Sequence, residues 1–170
     1  LRNHNAQPWM YEVLVLAMEA DGRDRKELER AIMSAADFAQ NPADMMHLGV
    51  YLVRLGLNDR ALQVYREVAK TEPLWSEPYM LGLKLAQQTG DIEGIQWATV
   101  GILSKAWQND QQDVRQRALY AANDTLQKLR KGRDTRQQAK DFQRALDRAV
   151  ERDVLVRVRW TGGADIDLLV

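Results

Sequence analysis

The side chains able to do acid–base or metal chemistry are few and scattered. His4 and His47 are the only imidazoles. A zinc site or a Ser–His–Asp triad needs several partners converging on such a ring, and these two show no ligand-like spacing. Asp165 and Asp167 stand two apart in a strand-like run, which puts both carboxylates on one side of a strand. That geometry could begin a calcium site, but calcium needs about six to eight oxygens, and a charged strand face is the plainer reading. Lys128, Arg130, Lys131, Arg133 and Arg136 surround Gly132. Such a cluster could take phosphate or nucleic acid, yet Asp134 and Asp141 dilute it, and cations at a helix end ordinarily complement the helix dipole. There is no Walker-type or dinucleotide-type glycine loop; Gly162-Gly163 reads as a turn. These residues assemble no catalytic constellation, no metal site and no cofactor motif, so the chain reads as non-enzymatic.

Composition narrows the classes further. Of 170 residues, 45% are hydrophobic and 28% charged, enough for a domain with a real core. Lys+Arg and Asp+Glu are 24 each, so the net charge is zero. Neutral balance makes no electrostatic case for nucleic acid or an anionic membrane as partner. No cysteine is present, which excludes disulfides and thiolate metal sites and leaves the compartment open. The apolar run Val13 to Ala17 is far short of the roughly 18 residues a membrane span needs. The chain begins without Met and ends in Asp-Ile-Asp-Leu-Leu-Val. We read this as a piece of a larger protein.

The elements that must position any site are helical. Pro8-Trp9 opens a helix to about Asp21, closed by Gly22. A second, about Arg25 to Gln40, carries Leu28, Ala31, Ile32, Ala35, Ala36 and Phe38 at helical spacing. Helices follow over Pro42 to Gly56 and on to Pro73, then from a Ser76 cap to about Thr89, and from Ile92 to Ala106. Gly22, Gly56 and Gly90 sit 34 residues apart. Beyond Trp107 this rhythm stops. An Asn109-Asp110 cap precedes a long helix, about Gln112 to Arg130, with Val114, Ala118, Ala121, Ala122, Leu126 and Leu129 inward. Gly132 breaks it, and Thr135 to about Arg152 forms another, using Ala139, Phe142, Ala145, Leu146, Ala149 and Val150. Val154 to Trp160 and Asp165 to Val170 then alternate as two strands of a hairpin.

The 34-residue interval, with Leu48, Gly49, Ala61, Tyr65 and Pro73 at signature positions, resembles the tetratricopeptide repeat. The likeness spans about residues 8–107 and is strongest over 42–73, where Leu52 and Val68 depart mildly from the usual Tyr and Ala. The units at Gly22 and Gly90 keep the period but drift from the pattern. The resemblance implies an all-α fold, a right-handed superhelix of three helix–turn–helix units over 8–107. The longer helical pair at 108–153 would cap it. Residues 154–170, through Trp160 and Asp165-Ile166-Asp167-Leu168, resemble the start of bacterial β-sandwich domains that open on a Trp strand. That implies a truncated β domain.

In the resembled family the first helix of each unit lines a concave, peptide-binding face. The matched positions here give a partner groove of Trp9, Glu12, Leu16, Met46, Val50, Arg54, Met80 and Lys84. The Lys and Asn set with which some members grip a C-terminal carboxylate is absent. What remains is a partly apolar, Met-rich groove suited to a helix or peptide. The plainer reading is that a shallow curve, or the C-terminal helices, already covers these residues. The expected function is a non-catalytic scaffold that binds a protein or peptide, or an adjoining domain. The alternative is a rigid spacer or homodimerisation module that presents the β-sandwich. An enzyme reading needs chemistry from sequence beyond this chain.

Overall fold

The computed structural model describes residues 8–36, 39, 41–107 and 112–151. The expected hairpin at 154–170, with Asp165 and Asp167, lies outside them, as do His4, Phe38 and the Asn109-Asp110 cap. The described residues form an all-α fold of eight helices: α1 Pro8–Ala20, α2 Arg25–Met33, α3 Pro42–Arg54, α4 Asn58–Thr71, α5 Ser76–Thr89, α6 Ile92–Leu103, α7 Gln112–Lys131 and α8 Arg136–Val150.

The three spaced glycines end α1, α3 and α5 in the same way. Their φ angles are +71°, +70° and +73°, the left-handed region that a side chain enters at a cost. The residue after each glycine bonds back five positions: Arg23 N–H to Met18 O at 2.9 Å, Leu57 to Leu52 at 2.9 Å and Asp91 to Ala86 at 2.9 Å. This is the Schellman pattern, which satisfies a helix's last carbonyls and turns the chain into the next helix. Starts are set by side chains. Asn41 accepts from the Asp44 N–H at 3.0 Å with Pro42 behind it, and Asp91 accepts from Gly94 N–H at 3.0 Å.

Several expected boundaries move, each for a local reason. α2 stops at Met33 rather than Gln40, because Ser34 Oγ donates to Arg30 O at 3.0 Å and Ala35 N–H closes a tighter turn on Ile32 O at 2.9 Å. Ser76 is the first residue of α5 rather than its cap; Trp75 holds that place and caps with no side-chain bond. α6 stops at Leu103 rather than Ala106. Trp107 Nε1 folds back onto Ile102 O at 2.7 Å and takes a terminal carbonyl. α8 ends at Val150 rather than Arg152, and Val150 is 41% exposed rather than inward.

Successive helices pack as hairpins, α1 on α2, α3 on α4, α5 on α6 and α7 on α8, with further contacts of α4 on α5, α6 on α7 and α6 on α8. Within α3/α4 and α5/α6 the close approach rests on a ring lying over a glycine. A Cβ on Gly49 would stand 2.5 Å from Tyr65 Cε1, and one on Gly82 2.5 Å from the Trp97 ring; Gly101 is covered by the Tyr79 ring. Two apolar clusters result, one over α1 to α5 and one over α4 to α8, and Trp97 packs against both. The six inward residues expected on α7 are all buried.

Two outcomes follow from this packing. Gly90→Ala has room for its methyl but must hold φ near +73°, so it should cost about 1–2 kcal/mol. Gly49→Ala must displace the buried Tyr65 ring and should cost about 1–3 kcal/mol, although Ala is the better helix former. Urea midpoints at unchanged m-value measure both. Burial also pushes the Tyr65 phenol up to about 12. Its stabilising share is whole below the unfolded value near 10 and is lost as pH rises through about 12. Stability should therefore fall across that alkaline window, and Tyr65→Phe should flatten the fall in a pH series of denaturation midpoints.

Candidate partner-binding face

The period of 34 residues turns single positions into rows. Glu12, Met46 and Met80 are equivalent on α1, α3 and α5, as are Leu16, Val50 and Lys84. The second row is exposed at all three sites. In the first row Glu12 and Met80 are half-buried, whereas Met46 is only 5% exposed and belongs to the core. Met46 therefore offers a partner nothing. Trp9 at 58% and Val50 at 52% are the most open of the apolar groove residues.

Two parts of the face are built differently. On the α1–α3 side, Tyr51 Oη donates to the Glu12 carbonyl at 3.2 Å and ties the first hairpin to the second. The Arg54 guanidinium lies 5.9 Å over the Tyr51 ring. Burial raises the Tyr51 phenol; Arg54 opposes this, while Glu19 and Glu12 add to it. Acid, base and phenol thus sit together beside exposed Trp9, Leu16 and Val50. On the α5 side, Met80 and Lys84 line a cleft of about 590 Å³ whose other wall is α7, through Gln116, Arg117 and Tyr120.

That second wall accords with the plainer reading at this end of the face, where a C-terminal helix lies against the groove residues. The signal was present: Tyr120 lies off the inward stripe of Val114, Ala118 and Ala121, and it is 75% exposed. An aromatic on the polar face of a long helix marks contact surface more often than packing. Val13, exposed between Trp9 and Leu16, also escaped notice.

The other candidates stay apart. His47 is exposed. Lys128, Arg130, Lys131, Arg133 and Arg136 are all exposed around the α7–α8 turn, with Lys128 paired to Asp124 at 2.8 Å. No group of three or more His, Asp or Glu side chains is placed to hold a metal among the described residues. No described helix is long and apolar enough to cross a membrane.

Tyr51→Phe removes the bond from the α3 phenol to the Glu12 carbonyl of α1, worth about 0.5–1.5 kcal/mol. Amide exchange should accelerate in α1 while α5 and α6 keep their protection. Compared with known protein families, with curated proteins and with solved structures, the chain matches none.

Proposed function

We propose that the chain is a tetratricopeptide-like array that works as a non-catalytic scaffold. Three helical hairpins over 8–107 stack in a right-handed superhelix, and α7–α8 closes the stack. A partner protein or peptide binds along the first helices, over Trp9, Leu16 and Val50, and reaches Met80 and Lys84 in the cleft against α7. Glu12 and Arg54 set polar register at the edge of this row.

One observation carries the reading. Leu16 and Val50, equivalent residues on successive hairpins, both leave an aliphatic side chain in solvent. A row of exposed apolar groups on a rigid face is a cost to a monomer and a contact to a binder. Trp9 and Val13 extend the row along α1, and this extension favours a second reading, homodimerisation through α1.

The test places a photo-reactive benzoylphenylalanine at position 50 and, as control, at exposed position 137 on α8. Cross-links to a partner are expected at 50 and not at 137. Val50→Glu and Leu16→Glu should each weaken capture roughly tenfold with the helical circular dichroism kept. Capture unaffected by both substitutions contradicts the groove. Cross-links between copies alone, with a dimer in light scattering, select the second reading. Met46→Glu is no substitute, since it buries a charge in the core and tests folding only.

A further inference from the structure

A cavity of about 1040 Å³ lies not on the first helices but between α4 and α6. Three contacts fix how these two helices run. Leu62 reaches the Cβ position of Gly94, the Arg66 guanidinium lies 5.5 Å over the Trp97 ring, and Tyr79 links the Ala69 carbonyl, at 3.3 Å, to Gly101. Numbers rise together on both helices, so they are parallel walls of one trough. From Asp59 to Lys70 the α4 wall is roughly 16 Å long at 1.5 Å per residue. That is room for about five residues of extended chain at ~3.3 Å each.

The charges in the trough are ordered. Asp59, Asp91 and Glu93 mark the end where α4 and α6 begin; Lys70 and Lys105, with Glu67 beside Lys70, mark the end where they finish. Both ends have internal explanations. Acids suit helix starts and lysines suit helix ends, Asp91 is a cap, Lys70 pairs with Glu67 at 2.7 Å, and Lys105 donates to Gly101 O at 3.1 Å while lying over Tyr79.

Arg66, in the middle, has no such explanation. Its Nε is buried and has no hydrogen-bond partner. Glu67, the carboxylate nearest along the chain, pairs with Lys70, and the Tyr79 hydroxyl is spent on Ala69. An unpaired buried N–H is rare in native proteins and asks for a ligand or a cause. The guanidinium carbon lies 5.5 Å over the Trp97 ring, and its N–H edges are its recognition group. Those edges match the two oxygens of a carboxylate.

We propose that the α4–α6 trough is a second binding site, for an extended peptide segment of a partner that carries a Glu or Asp side chain among apolar neighbours. The carboxylate takes Arg66 Nε–H and one Nη–H side by side, after a turn of the terminal torsions. The flanking apolar residues lie on Leu62, Trp97 and Val100. The acidic end at Asp59 and Glu93 repels a second carboxylate there and so fixes direction.

The test uses the whole chain, labelled with ¹⁵N, and follows the Arg66 Nε–H and Trp97 indole N–H signals. The probes are Ac-Ala-Leu-Glu-Leu-Ala-NH₂, its Gln counterpart, and Ac-Ala-Leu-Gln-Leu-Ala with a free C-terminal carboxylate. The Glu peptide should shift both signals saturably and bind at least tenfold tighter than the Gln amide. Arg66→Gln should abolish that preference; Lys140→Gln, on α8 outside the trough, should keep it. If Arg66→Gln misfolds by circular dichroism, Arg66→Lys serves, with the preference reduced severalfold. Equal binding of Glu and Gln peptides, or signals unmoved by 10 mM of the Glu peptide (a ceiling of roughly 3 kcal/mol on binding), overturns the proposal. So does a tighter hold on the free C-terminal carboxylate. None of these signals reports on Val50, so failure here leaves the first-helix face untouched.

Discussion

The central hairpins α3/α4 and α5/α6 depend on aromatic rings seated on glycines. Two helices pack about 8–10 Å apart with ordinary side chains between them; a glycine on one lets a whole ring from the other lie against backbone. Tyr65 on Gly49 closes α3 against α4, and Trp97 on Gly82 with Tyr79 on Gly101 closes α5 against α6. The rings also join the hairpins. Tyr79 stacks on Trp97 at 5.4 Å between centroids, meets Trp107 edge-on at 6.2 Å, and bonds to Ala69 in the hairpin before its own. Because rings and glycines cannot interdigitate at any other spacing, hairpin geometry and hairpin stacking are set by the same few residues.

This is also why part of the fold was legible in the sequence. A glycine in a left-handed turn has a backbone reason to be glycine, so Gly22, Gly56 and Gly90 announce their helix ends wherever the chain goes. Gly49, Gly82 and Gly101 are legible for the complementary reason, that a small residue amid large ones marks a close approach. Inward stripes such as that of α7 follow from period alone. What stayed hidden depends on tertiary neighbours. The end of α2 at Met33 is set by Ser34 bonding back to Arg30, and the end of α6 by a tryptophan folding over its last carbonyls. Neither shows in a pattern of apolar residues.

The candidate site was legible in outline only. Matched spacing aligns Leu16, Val50 and Lys84, and all three are exposed. It says nothing about depth, and so it placed Met46, sunk beneath that row, among the contacts. It also says nothing about α7, whose Tyr120 and Arg117 supply the far wall of the Met80 cleft. Arg66 is the extreme case. Its sequence position is that of an ordinary charged residue on an amphipathic helix, and only the packing of Trp97 beneath it strands its Nε. The regular spacing of hairpins thus yields two rows of side chains, one on the first helices and one on the second. The first row is apolar at Leu16 and Val50 and charged at Lys84, and the second is polar with an aromatic floor.

The ring-on-glycine packing is most directly tested by proton NMR on the intact chain. The Hα protons of Gly49, Gly82 and Gly101 should be displaced upfield by ring currents. Each should show nuclear Overhauser contacts to its own ring, Gly49 to Tyr65, Gly82 to Trp97 and Gly101 to Tyr79. Hα shifts at ordinary helical values, without those contacts, would contradict the packing and with it the basis of both proposed faces.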